Sequence, residues 1–158
     1  MVRRWSLKEL LKGLPPNFEE EYHEEPIWQL AFNQKKKLLL TSSADQSFSL
    51  LRDTEKSLVK VWQSRIEDDT PTAIDWLCDN RFAAGYRLKN RVGVFDTIEG
   101  ELGWEYNFEG KGNCWQVNCL QLGQKLNMIA TGHEDHFIRF FDPNSSNSQP
   151  MQTDVSRR

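Results

Sequence analysis

The chain has 158 residues, of which 38% are hydrophobic and 27% charged, with a formal net charge of -3. That balance describes a globular chain with one real core, and it excludes a general electrostatic pull towards nucleic acid or an anionic membrane. Apolar runs are as short as Leu38-Leu39-Leu40, and no apolar stretch follows the basic N-terminus, so neither a membrane span nor a secretory signal is read.

The first segment, Val2 to Leu14, carries Arg3, Arg4, Lys8 and Lys12 among Trp5, Leu7, Leu10, Leu11 and Leu14. It reads as a strand end followed by a short helical linker that stops at Gly13 and Pro15-Pro16. Its basic, partly amphipathic pattern is also that of a calmodulin-target helix. The acidic run Glu19 to Glu21 with Glu24 and Glu25 follows as a solvated loop.

Three β-prone openings come next: Ile27 to Phe32, Thr72 to Leu77 and Val117 to Leu122. Each is followed by a polar turn, a second strand and a common ending. The endings are Ser49 to Asp53, Gly93 to Asp96 and Ile138 to Asp142, and Val2 to Ser6 is a fourth of the same kind. In each ending a bulky residue precedes a polar one: Trp5, Leu51, Phe95 and Phe141, separated by 46, 44 and 46 residues. This period is close to the roughly 40–45 residues of a four-stranded propeller blade. Asp45 and Asp135 stand six residues before Leu51 and Phe141, where a carboxylate fixes the turn between second and third strands. Lys89 takes that place in the middle repeat, so another device must hold its turn.

The expectation is therefore an all-β chain of four-stranded antiparallel blades in an incomplete ring. Residues 1–18 are the last strand of a preceding blade plus a linker. Residues 19–142 are three repeats, about 19–64, 65–109 and 110–142. Residues 143–158, low in apolar content, are a disordered tail. On this reading the chain is a fragment or isoform whose open strand edges invite self-association.

These motifs resemble the WD-repeat family. Ser42-Ser43-Ala44-Asp45 is similar to the family's turn ahead of its third strand. Ile138 to Asp142 is similar to the strand ending in Trp-Asp, with Phe141 at the Trp position and Asp142 after it. The family's hydrogen-bonded tetrad is incomplete: His23, Thr41 or Ser42, and Asp45 supply three members in the first repeat. Pro26 to Phe32, Leu38 to Asp45, Cys114 to Asn118 and Thr131 to Asp142 narrow the resemblance to striatins. That resemblance implies a non-catalytic, cytoplasmic scaffold that assembles phosphatase 2A with kinases. The alternatives are a generic WD adaptor in vesicle traffic or ubiquitin ligation, and a calmodulin-binding segment at 2–14.

Two clusters have a chemical look. His133-Glu134-Asp135-His136 has residue types that ligate zinc, but the repeat register explains it as a turn built around Asp135. Cys78, Cys114 and Cys119 are too scattered for a disulfide framework and read as reduced thiols, with Cys114 and Cys119 structural and buried. No catalytic constellation, cofactor motif or metal set is read. The partner-binding expectation rests on charged residues at turns: Lys89, Asn90, Arg91, His133 and His136.

Overall fold

The computed structural model describes residues 1–4, 6–54, 57–88, 91–98, 100–107, 114–122, 126–145 and 150–154, with backbone alone for 7, 104, 114–122, 126–127 and 152. Two short strands open the chain, β1 (Val2–Arg4) and β2 (Phe18–Glu20), separated by the one-turn helix α1 (Leu7–Leu10). Ser6 caps that helix: its hydroxyl accepts from the Glu9 amide at 3.3 Å and pairs with the Glu9 carboxylate, a reciprocal cap that satisfies amides with no partner inside the helix. Gly13, at a φ of 65°, ends the turn in the left-handed conformation that costs glycine least. The segment from Val2 to Leu14 is thus strand, then a single helical turn, rather than a continuous amphipathic helix.

Among the described residues the other strands form three four-stranded antiparallel sheets, each in simple sequential order. The first is β3 (Ile27–Asn33), β4 (Leu38–Ser43), β5 (Ser47–Asp53) and β6 (Leu58–Arg65). The second is β7 (Pro71–Cys78), β8 (Arg81–Tyr86), β9 (Arg91–Asp96) and β10 (Leu102–Asn107). The third is β11 (Cys114–Leu122), β12 (Leu126–His133), β13 (Phe137–Phe141) and β14 (Met151–Asp154). The sheets stack in chain order, with β7 against β3 and β4 on one side and β11 on the other, and they close no ring among the described residues.

Period-2 alternation puts the two faces of each sheet against different neighbours. Leu40, Phe48 and Leu50 of the first sheet meet Ile74, Phe82, Ala84, Tyr86 and Phe95 of the second. The opposite face of the second sheet, with Ala73, Ala83, Val92, Val94 and Tyr106, meets Ile129 and Phe141 of the third. The outer face of the first sheet packs Leu51 and Leu58 under Val2 and Tyr22. Aromatic rings carry much of this area. Phe82 and Phe95 stack at 5.0 Å, Phe48 meets Phe95 edge-on at 5.1 Å, and Tyr106 lies 4.9 Å from Phe141. Leu51, Phe95 and Phe141 are buried at equivalent places, each turned towards the sheet before its own.

Two boundaries differ from the sequence reading. The segment 1–18 does not end in a lone strand, because β1 pairs antiparallel with β2, Arg3 opposite Glu19. The stretch after Asp142 is not wholly a tail. β14 pairs with β13, Met151 opposite Phe140, and completes the third sheet. Composition hid this strand, since Met-Gln-Thr-Asp lacks an apolar run and gains its order from the ladder it joins.

Candidate interaction surface

In an antiparallel sheet of sequential order, the turn between second and third strands and the loop entering the first strand lie at the same end. At that end of each blade a polar cluster holds the chain, and no two clusters are built alike.

In the first blade, His23 comes from the loop between β2 and β3, and its side chain is fully buried. Its Nδ1 lies 2.9 Å from Asp45 Oδ2 and 3.0 Å from Ser47 Oγ, and its Nε2 lies 2.7 Å from Thr41 Oγ1. Asp45 also accepts from the Ser47 amide at 3.0 Å, the Ser47 hydroxyl at 2.6 Å and the Glu24 amide at 3.2 Å. Burial raises the Asp45 pKa, but the hydrogen bonds from Ser47 and His23 outweigh it and hold the carboxyl below its ordinary range. A charged carboxylate therefore bolts the loop to the turn. Gln46 follows it at a φ of 67°.

In the third blade the loop ahead of β11 has no histidine, and 108–113 lie outside the described residues. The carboxylate finds its partner on the strand instead. Arg139 is 1% exposed and grips Asp135 with two donors, Nη1 to Oδ1 at 3.0 Å and Nη2 to Oδ2 at 2.6 Å. This fork-on-carboxylate geometry is the strong form of a charge-assisted hydrogen bond. The Asp135 pKa is lowered, chiefly by Arg139. His133 is buried beside the pair with its Nε2 2.6 Å from Thr131 Oγ1. Burial, aided by the nearby Arg139 charge, pulls its pKa down to about 4, so its ring is neutral near pH 7.

The second blade inverts the charges. Asp69, fully buried, occupies the loop where the first blade has His23. It accepts from the Thr70 amide at 2.7 Å and, across the turn, from the Leu88 amide at 2.9 Å. Arg91 lies 3.8 Å from Asp69, pairs with Glu105 at 2.9 Å and stacks 4.3 Å over the Tyr86 ring. This is the substitute for the carboxylate that Lys89 displaces.

Of the turn residues expected to meet partners, Lys89 and Asn90 lie outside the described residues, as does Trp5. Two others are corrected by their surroundings. Arg91 is only 15% exposed and spent on Asp69, Glu105 and Tyr86. His133 is 9% exposed and bonded to Thr131. Arg91 shares the face of its strand with Phe95, and His133 shares the face of its strand with buried Ile129 and Thr131, a signal that alternation alone contains. His136 is exposed, at a φ of 68° equivalent to that of Gln46. Asp142 is exposed, and its carboxylate accepts from the Asn144 amide at 2.9 Å while its carbonyl takes the Tyr106 hydroxyl at 2.5 Å. Cys78 is exposed, and the side chains of Cys114 and Cys119 lie outside the description. Among the described residues no three His, Cys, Asp or Glu groups gather as a metal site, and no helix is long and apolar enough to cross a membrane.

Sequence reasoning missed one surface feature. A polar cleft of about 280 Å³ opens over the first cluster, lined by Glu24, Asp45, Ser47, Gln63 and Arg65. The Gln63 amide donates to Ser47 at 3.1 Å, so the wall is fixed by the buried network beneath it.

The sheets and their clusters are blades of a β-propeller, and the chain carries WD repeats: the family described as WD domain, G-beta repeat matches residues 17–50 and 104–142. The unmatched interval covers most of the second blade, whose turn lacks the aspartate. The chain resembles striatin of Homo sapiens, 27% identical over 131 residues, and striatin of Mus musculus, 26% identical over 131 residues. Each match covers 78% of this chain and 16% of the striatin, so the chain spans about one sixth of those relatives. Among solved structures, BamB from Moraxella catarrhalis matches with a TM-score of 0.65 at 13% identity, covering 89% of this chain and 40% of that one. That likeness is one of fold.

Proposed function

We propose that this chain is a non-catalytic docking platform of the striatin kind, displaying rigid blade-end loops to phosphatase 2A and kinase components in the cytoplasm. The observation that carries the reading is the striatin similarity, which runs over 78% of the chain and so extends beyond any single blade. The clusters support it in physical terms. Their titratable groups are consumed by one another, which suits a fixed surface better than proton transfer. Loops on a rigid scaffold are where binding residues concentrate, and here the polar cleft with Glu24 and Arg65 supplies mixed charge, while His136 is exposed at a blade end.

Affinity purification of the tagged full chain from cells, followed by mass spectrometry, tests this. The expected result is retention of phosphatase 2A subunits and kinases, reduced by Arg65→Glu while circular dichroism stays unchanged. Retention of vesicle-coat or ubiquitin-ligase components instead would overturn the striatin-type assignment in favour of a generic adaptor.

A further inference from the structure

The segment that leaves β1 carries a charge pattern that the repeat does not explain. Arg3-Arg4-Trp5-Ser6-Leu7 places a serine three and two residues after a pair of arginines, with an apolar residue just behind it. No other serine or threonine of the sequence has arginines at both of those places. Serine kinases whose substrate groove is acidic select on this pattern. Groove carboxylates take the two guanidiniums, an apolar pocket takes the residue after the serine, and the hydroxyl is left facing the phosphate donor.

The fold presents the pattern at an exposed loop. β1 is extended as far as Arg4, and Ser6 is exposed at the start of the loop that joins β1 to β2. β2 runs from that loop to the segment bearing His23, so Ser6 lies at the opposite end of the strands from the His23 cluster. Lys8 and residues 10–15 are exposed as well, and an exposed loop of this kind is where modifying enzymes reach a folded chain. The Arg3 side chain is 51% exposed and pairs with Glu19 at 3.2 Å. Arg4 pairs with Asp53 at 2.5 Å and donates to the Thr54 carbonyl at 2.8 Å. Both guanidiniums thus rest on carboxylates near the surface, and an acidic groove offers each the same chemistry in exchange. The Ser6 hydroxyl is held by its own loop, where it pairs with the Glu9 carboxylate and accepts from the Glu9 amide at 3.3 Å.

We propose that Ser6 is a phosphorylation site for an arginine-directed serine kinase. Ser6 Oγ attacks the γ-phosphorus of magnesium-bound ATP. The Oγ–P bond forms as the bond from that phosphorus to the β–γ bridging oxygen breaks, ADP leaves, and the hydroxyl proton passes to the catalytic aspartate of the kinase. The product puts about two negative charges where the hydroxyl met the Glu9 carboxylate. Repulsion undoes that cap, so the phosphate loosens the loop after Ser6. Here a kinase acts on the chain's own serine, which neither rests on nor follows from the docking of kinase components at the blade ends.

The test incubates the full chain with magnesium-ATP and the catalytic subunit of cyclic-AMP-dependent protein kinase as the probe, with sites read by tandem mass spectrometry. One phosphoryl group on Ser6 is expected, and none at that position in Ser6→Ala. Arg3→Ala should slow labelling about tenfold or more, the order of a lost charge-assisted hydrogen bond. Glu19→Gln breaks the same surface pair but keeps Arg3, and labelling should be no slower than in the parent chain. Circular dichroism of each variant checks that the fold is retained. An unlabelled Ser6 on the folded chain, a rate indifferent to Arg3→Ala, or a rate lowered equally by Glu19→Gln overturns the proposal. Hydrogen exchange over 7–14 should rise once Ser6 carries the phosphate, and unchanged exchange there overturns the loss of the cap. Tagged full chain recovered from cells with raised cyclic AMP and inhibited phosphatases should carry the same phosphate, and an unmodified Ser6 there also overturns the proposal.

Discussion

The first and third blades hold equivalent turns by different means. In both, a carboxylate follows the second strand, Asp45 or Asp135, and a residue in left-handed conformation comes next, Gln46 or His136. Asp45 is met by His23 from the incoming loop, so the bond crosses from one blade edge to the neighbouring segment. Asp135 is met by Arg139, four residues on, so the bond stays inside one hairpin. At the position equivalent to Arg139 the first blade has Ser49, small enough to leave the carboxylate to His23. The turn carboxylate needs a hydrogen-bonding partner, and either a loop or a strand can supply it. The second blade shows the limit of that freedom: with no aspartate at the turn, the acid moves to the loop as Asp69 and the base to the strand as Arg91.

The largest expected effect separates these two designs. Arg139→Met leaves Asp135 with no counter-charge in a mostly buried place, and should cost about 3 kcal/mol, as removal of one partner of a buried pair does. Urea unfolding followed by hydrogen exchange should place the loss in β12 and β13 and leave β4 and β5 unchanged. Acid should distinguish the blades next. His133 has a folded pKa near 4 against about 6.5 when unfolded, so the unfolded chain binds the extra proton first. Stability from neutral His133 is full above about pH 6.5 and is lost as pH falls towards 4, by about 2 kcal/mol. Thermal melts of the parent chain and His133→Gln across that window should show the variant's dependence flattened.

Asp45→Ala should cost about 2 kcal/mol, since it strands buried His23 and the Ser47 and Glu24 amides together. Its mark is increased exchange in the 21–26 loop as well as in the turn, whereas the third-blade change should stay local. The smallest effect runs the other way. Gln46→Gly and His136→Gly each relieve a left-handed side-chain residue and should raise stability by about 0.5 to 1 kcal/mol, read as a shift in urea midpoint.

Much of the fold was legible because the repeat is written in packing residues. Leu51, Phe95 and Phe141 recur because each wedges into the sheet before it, and Asp45 and Asp135 recur because each fixes a tight turn. The clusters were harder to read. Arg91 and Arg139 look like solvent-facing charges in short strands, yet each shares the face of its blade's bulky residue, two or four positions away. The partners of Arg91, Asp69 and Glu105, are chosen by three-dimensional proximity that spacing does not encode, whereas Arg139 meets Asp135 within its own hairpin. β14 was hidden for the opposite reason: its residues carry little apolar signal, and only β13 beside them makes a strand.

The most direct test of three packed blades is amide hydrogen exchange on the intact chain, resolved by peptide. Protection should rise in three blocks, over 38–53, 81–96 and 126–141, with β14 at 151–154 protected above the residues around it. Protection in the first two blocks with rapid exchange throughout 126–154 would contradict the account, because the third sheet would then not be formed.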